Sequence, residues 1–276
     1  MTDSNEFQFF WYEGPLNWLA DLCLRSFTRF SGVTVHIYSY DHNLNPRIPG
    51  CVCHDANEVL PREIAERWKA SSIGVLSFSP LSTMFRYRLL YEKGGWWFDL
   101  DCFLVKPLTP LFDLDYVFGW ETPTQVNAAV LKFPKNSEIL DRLYKEYFEM
   151  DPDRWRPGFG IPLFTQYLKK FNLITKALPP EYFYPIYPGE SQRLSNQAEE
   201  TFILHLYASW EQAMKPVKEL TLQNEIRSLK SQIDTLNRQV VSLTNQVHNL
   251  NNSLSLKIGR MIPFGETIRR AFVKDE

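Results

Sequence analysis

The 276-residue chain contains three Asp-x-Asp pairs: Asp99-Leu100-Asp101, Asp113-Leu114-Asp115 and Asp151-Pro152-Asp153. Their surroundings separate them. Asp151 and Asp153 flank a proline in a polar loop. Asp113 and Asp115 follow Thr109-Pro110 in a turn, where carboxylates cap helices or face solvent. Asp99 and Asp101 instead follow the apolar run Trp96-Trp97-Phe98. One strand is expected over Trp96 to Val105. Period-two alternation would then put both carboxylates on one face, with Leu100 turned into the core. Two adjacent carboxylates at a buried strand end are costly unless a cation neutralises them. Mg²⁺ or Mn²⁺ meets that need, because it takes few protein carboxylates and completes its shell with phosphate oxygens and water. The pair therefore points to a phosphate-bearing substrate. Arg86, on the helix before Gly94-Gly95, has two readings: a planar fork for a phosphate or ribose, or an ion pair with Asp99.

The elements that must position these groups follow from pattern. Phe7 to Tyr12 reads as a buried strand broken by Gly14-Pro15. Leu16, Leu19, Ala20, Cys23, Leu24 and Phe27 recur at helical spacing, so Leu16 to Phe30 is a helix. Val33 to Tyr40 alternates and reads as a second strand. A strand, a helix and a strand in that order argue for an α/β domain with parallel neighbours. Asn43 to Gly50 reads as a loop. Cys51-Val52-Cys53-His54 is half of a metal-ligand pattern with no second half, and also reads as loop. Helices are expected over Pro61 to Ala70, Leu81 to Glu92, Ser137 to Glu149 and Ile161 to Phe171. Short strands are expected near Tyr116 to Trp120, Ala128 to Phe133 and Phe202 to Tyr207.

The chain changes character after Trp210. All aromatic residues except Phe264 and Phe272 lie at or before it. From Leu222 to Leu254 apolar residues alternate at steps of four and three. Ile226, Ile233, Val240, Val247 and Leu254 take the a positions, and leucine takes every d position. β-branched a with Leu at d favours a parallel two-stranded coil, the alternative being one long helix packed back on its own domain. The organisation read is a body over 1–214, a coiled coil over 215–256 and a basic amphipathic tail over 257–276. Lys257, Arg260, Arg269, Arg270 and Lys274 interleave there with Ile258, Met261, Ile262, Phe264, Ile268 and Phe272, a pattern that suits an anionic bilayer surface or a solvated tail.

Composition narrows the function classes. Apolar residues at 44% exclude wholesale disorder, and a net charge of −2 gives no reason to expect nucleic acid. No apolar run is long enough to span a bilayer, and the N-terminus lacks the features of a secretory signal. Four cysteines without a framework read as reduced thiols, so a cytoplasmic setting is expected.

The stretch from Phe85-Arg86 through Gly94-Gly95-Trp96-Trp97-Phe98 to Asp99-Leu100-Asp101, followed by Lys106-Pro107-Leu108, resembles the sugar-binding motif of glycosyltransferase family 32. It is also similar to the related α-1,4-galactosyltransferases and capsular polysaccharide transferases. Weaker echoes cover roughly residues 7 to 210: Phe10-Trp11-Tyr12-Glu13-Gly14, Val126-Asn127-Ala128-Ala129, Gly160-Ile161-Pro162 and His205-Leu206-Tyr207-Ala208-Ser209-Trp210. The resemblance implies an α/β GT-A fold, a nucleotide-sugar donor with UDP as the default, and transfer with retention at the anomeric carbon. It implies Asp101, Asp99 and His205 as metal ligands, and Arg86, Ser209 and Trp210 as the clamp on the diphosphate. It further implies Trp11 near the base, Ser82 near the donor, and Asn127 and Glu121 beside the sugar. Trp11 could equally be core, as could His205. The family usually has Ser-Asp ahead of the Arg; this chain has Ser82-Thr83.

The expected enzyme moves a hexose, with Mn²⁺ or Mg²⁺, to a glycan or lipid-linked acceptor in surface polysaccharide synthesis. It is expected to act as a dimer at the inner face of the plasma membrane. The alternatives are a toxin-like transferase acting on protein and a degenerate scaffold, the latter suggested by Thr83.

Overall fold

The computed structural model describes residues 6–30, 32–69, 79–155, 159–186, 199–207 and 230–250. The chain divides into two compact units, 1–217 and 218–276.

The first unit is a mixed α/β structure. Its elements are β1 (Phe7–Trp11), α1 (Trp18–Phe30), β2 (Val35–Ser39), β3 (Cys51–Asp55), α2 (Arg62–Lys69), α3 (Ser79–Lys93), β4 (Gly95–Phe98), β5 (Cys102–Leu104), β6 (Val117–Thr122), β7 (Gln125–Phe133), α4 (Glu138–Glu149), α5 (Gly160–Lys170) and β8 (Ile203–His205). Six strands form one sheet in the order β3-β2-β1-β4-β7-β6, and β5 pairs with β8 in a second, two-stranded sheet. β1 pairs in parallel with β2 and β4, and β2 in parallel with β3. The β4–β7 and β6–β7 pairs are antiparallel.

Alternation along the strands feeds two cores. Tyr12, Tyr38, Tyr40, Trp97, Leu131 and Phe133 face the side covered by α2 to α5. Phe7, Phe9, Val35, Ile37, Trp96 and Phe98 face α1, β5 and β8. Helix ends follow local chemistry. Asn17 Oδ1 caps α1 by accepting from the Ala20 N–H at 2.8 Å. α3 stops where Gly94, at φ +69°, donates its N–H to Leu90 O. A Cβ at Gly94 would stand 2.7 Å from the Lys135 nitrogen, so both conformation and space call for glycine there.

Two expectations are corrected. The single strand over Trp96 to Val105 is two strands in different sheets. The chain turns at Asp99 to Asp101, closed by the Cys102 N–H donating to Asp99 O at 3.0 Å. The two carboxylates therefore sit in a turn, not on one strand face. The Cys51-Val52-Cys53-His54 segment is the edge strand β3 and not a loop.

In the second unit, residues 230–250 are one helix with every residue exposed. Its seam residues Ile233, Leu236, Val240, Leu243, Val247 and Leu250 are 54–63% exposed. At 1.5 Å per residue it is about 31 Å long. The tail over 257–276 lies outside the described residues, as do the ends of the heptad array.

Candidate active site

The carboxyl ends of β1 and β4 meet where the sheet's connections diverge, with β2 to one side of β1 and β4 to the other. Such a switch point leaves an open crevice beyond the strand ends, where ligands bind in open α/β sheets. Trp11 ends β1 and Asp99 follows β4.

Asp99 is held from several directions. Arg86 on α3 reaches its Oδ1 at 3.0 Å, and Trp97 donates its indole N–H to Oδ1 at 2.9 Å. Trp97 and Asp99 lie two positions apart at the end of β4. The Trp97 ring also lies under the Arg86 guanidinium at 5.2 Å, a cation–π contact. Arg86 is 5% exposed and donates a further hydrogen bond to the Ala128 carbonyl on β7 and a long one, 3.5 Å, to Ser82 O. Of the two readings of Arg86, the ion pair with Asp99 is present. Burial raises the Asp99 carboxyl above its ordinary range, opposed by Arg86 and reinforced by Asp101.

Asp101 faces His205 on β8, with Oδ1 3.3 Å from Nε2. The β5–β8 ladder sets this meeting, because Cys102 and His205 are register partners. His205 is 8% exposed, and its Nδ1 is sealed from water with no hydrogen-bond partner among the described residues. Burial alone would lower the imidazole. The Asp101 carboxylate outweighs it, aided by Asp99 and Glu121, and the net direction is upward. Two rings frame the histidine: Tyr207 at 4.1 Å between centroids and Tyr184 edge-on at 5.6 Å. Tyr207 stands at φ +50°, a left-handed conformation costly for a bulky residue.

Asp101, Cys102 and His205 present ligand atoms all within 4.8 Å of one another. Two ligands each about 2.1 Å from a shared ion are separated by about the Asp101–His205 distance. The donor set and the short Asp101–His205 separation suit a divalent cation.

Across the β6–β7 hairpin, Asn127 donates from Nδ2 to Glu121 Oε1 at 2.8 Å and accepts at Oδ1 from the Ala129 N–H at 2.8 Å. It thus aims Glu121, whose charge reaches His205 and Tyr207. The half-buried Trp11 packs against the α1-side core, and its indole N–H donates to Gly14 O at 2.9 Å. Ser82 touches the cluster through its carbonyl. Thr83 is 8% exposed and donates its hydroxyl to Ser79 O, one turn back in α3. Ser209 and Trp210 lie outside the described residues. The other two Asp-x-Asp pairs are exposed: Asp113 and Asp115 in a turn, while Asp151 Oδ1 caps a short helical turn by accepting from the Asp153 N–H.

Sequence reasoning passed over Trp97 and Cys102. Each had a signal: Trp97 shares the parity of Asp99 along β4, and Cys102 adjoins Asp101.

No protein-family profile matches this chain, and no curated protein matches it. Its fold is similar to three solved glycosyltransferase structures. One is the PaToxG glycosyltransferase, 13% identical over 61% of this chain and 69% of that one, with a TM-score of 0.45. Another is apo mouse xyloside xylosyltransferase 1, 11% identical over 75% of this chain and 99% of that one, with a TM-score of 0.49. The third is the galactosyltransferase LgtC with donor and acceptor sugar analogues, 12% identical over 77% of this chain and 94% of that one, with a TM-score of 0.44.

Proposed function

We propose that the chain is a metal-dependent, retaining GT-A glycosyltransferase that moves a hexose from a nucleotide-sugar, UDP-linked by default, to a glycan or lipid-linked acceptor. The observation that supports this reading best is the juxtaposition of two acid–base pairs, Arg86–Asp99 and Asp101–His205, at the carboxyl ends of the parallel strands. Buried ionic groups are rarely worth their desolvation for stability alone. The motif order around them resembles that of sugar-nucleotide transferases.

Asp101 and His205, with Asp99 behind them, would hold Mn²⁺ or Mg²⁺. When bound, such an ion offsets the charge that develops on a departing diphosphate. The residues of the chain do the rest. Arg86 is fixed by Asp99, Trp97 and the Ala128 carbonyl, so its charge faces the same region without reorganisation. By the resemblance, Ser209 and Trp210 would complete the diphosphate clamp, Ser82 would serve the donor and Trp11 the base. Glu121, aimed by Asn127, stands against positive charge developing on the sugar ring. As the anomeric C–O bond to the diphosphate breaks, the acceptor oxygen bonds the same face of that carbon. Its proton passes to the departing phosphate oxygen, so no separate protein nucleophile takes part.

The helix over residues 230–250 supports a dimer, because an exposed a/d seam is satisfied by a second copy. The basic tail would bring the chain to an acceptor at the cytoplasmic membrane face. Among the described residues no helix is long and apolar enough to cross a membrane.

The test is hydrolysis of UDP- and GDP-sugars with Mn²⁺, Mg²⁺ or chelator, beside Asp101→Asn. Metal-dependent release of nucleoside diphosphate, reduced about 10²–10³-fold in the variant, is the expected result. No turnover with any donor, with and without lipid-extract or protein acceptors, would return the chain to the scaffold reading. Sugar transferred to protein instead of lipid extract would favour the toxin-like one.

A further inference from the structure

We infer that Cys102 is a third protein ligand in the Asp101–His205 cluster, so that the site binds a borderline divalent ion through oxygen, nitrogen and sulfur. The inference rests on the metal-site reading above but adds a donor and an ion class that the motif does not call for. Its basis is the break between β4 and β5. The turn closed by Cys102 N and Asp99 O places Cys102 at the first position of β5, directly opposite His205 in an antiparallel pair. Opposed residues of such a pair project from the same face, with their Cβ atoms about 5 Å apart. Asp101 precedes them in the turn, so three different donor types converge, each able to give one ligand atom within 4.8 Å of the others.

The surroundings fit this role. Cys102 is fully buried, and among the described residues its Sγ makes one long hydrogen bond, 3.8 Å, to Ala129 O. His205 is more than nine-tenths buried and turns Nε2 toward Asp101 at 3.3 Å. By contrast, the Asp99 carboxylate is engaged by Arg86 and Trp97. Sulfur changes the selection. Mg²⁺ takes oxygen ligands and dehydrates reluctantly, whereas thiolate favours Zn²⁺, Co²⁺ and related ions. When the sulfur–metal bond forms, the Cys102 S–H bond breaks and its proton leaves to solvent; no oxidant or reductant is needed. Ion uptake is thereby accompanied by proton release, and Mg²⁺ becomes the poorer occupant.

Cobalt reports on this without any sugar. Metal-free full-length protein is titrated with Co²⁺, and a sulfur-to-cobalt charge-transfer band is sought in the near ultraviolet. The band is expected in the unsubstituted protein and in Cys51→Ser/Cys53→Ser, and absent in Cys102→Val, which fills the buried volume. Co²⁺ affinity should fall at least about tenfold in Cys102→Val, with Mg²⁺ affinity unchanged. Should Cys102→Val fail to fold, Cys23→Ala/Cys51→Ser/Cys53→Ser leaves Cys102 as the sole thiol and must still give the band. Cobalt binding without the band, or a band that survives Cys102→Val or vanishes with Cys51 and Cys53, overturns the assignment. A Cys102-dependent band without donor turnover would leave the ligand assignment standing and remove the transferase reading. Metal-dependent turnover without the band would do the reverse.

Discussion

The two units break opposite rules of burial. In the body, charge goes inside: Arg86 has a 6% exposed side chain and pairs with an Asp99 side chain that is 25% exposed. In the C-terminal helix, apolar side chains go outside, with Val240 and Leu243 each 59% exposed. Each inversion carries a cost in an isolated chain. A buried ion pair must recover its desolvation, and an exposed apolar stripe forgoes about 25 cal/mol per Å². On the proposed function, each inversion is the place where a further component would be accommodated: a phosphate-bearing ligand with its cation at the first, and a second helix at the second.

The contrast breaks most sharply at Arg86. Arg86→Met strands the Asp99 carboxylate, and we expect the body to lose about 3 kcal/mol, the low end for a buried pair because Asp99 keeps some exposure. Denaturant unfolding measures this. Arg86→Met/Asp99→Leu should recover most of the loss while remaining inactive, which would separate the pair's functional role from its structural one. In the other unit, Leu243→Asp should leave the body's unfolding midpoint unchanged and convert dimer to monomer in sedimentation equilibrium. A monomeric unsubstituted protein at high concentration would refute the coil. Gly94→Ala tests the scaffold between helix and site. It forces a Cβ toward Lys135 at positive φ and should cost about 1–3 kcal/mol, read as a lowered Tm.

The smallest effect is in pH. His205 has its pKa raised in the folded protein, against burial, mainly by Asp101. The native state then binds more protons than the unfolded chain above about pH 6.5. In chelated protein this contribution is fully present below that pH and is lost as pH rises through the folded value. His205→Gln should flatten the decline in Tm. An identical slope in the variant would mean that another group is responsible.

What the sequence discloses follows how local each feature is. Arg86, Gly94-Gly95 and Asp99 to Asp101 are legible because one helix, one stop, one strand and the turn after it carry them in order. The separation of β4 from β5 is not legible, because apolar residues continue on both sides of the turn and the alternation runs straight through it. β3 escapes notice because an edge strand of Cys, Val, Cys and His has no buried face to impose alternation; Val52 stays 43% exposed. Asn127 is singled out only by the resemblance, and its bond to Glu121 depends on the β6–β7 hairpin register, which only the folded sheet specifies. The meeting of Asp101, Cys102 and His205 joins segments about a hundred residues apart, and only the β5–β8 pairing brings them together.

The central claim is that the buried charges exist to hold a diphosphate with its cation, and calorimetric titration tests it most directly. UDP and GDP are titrated into the full-length protein with Mn²⁺ and with chelator, and into Asp101→Asn. The expected result is nucleotide binding that requires the ion and is lost in the variant. Binding that is equally strong in chelator, or unchanged by Asp101→Asn, would contradict it.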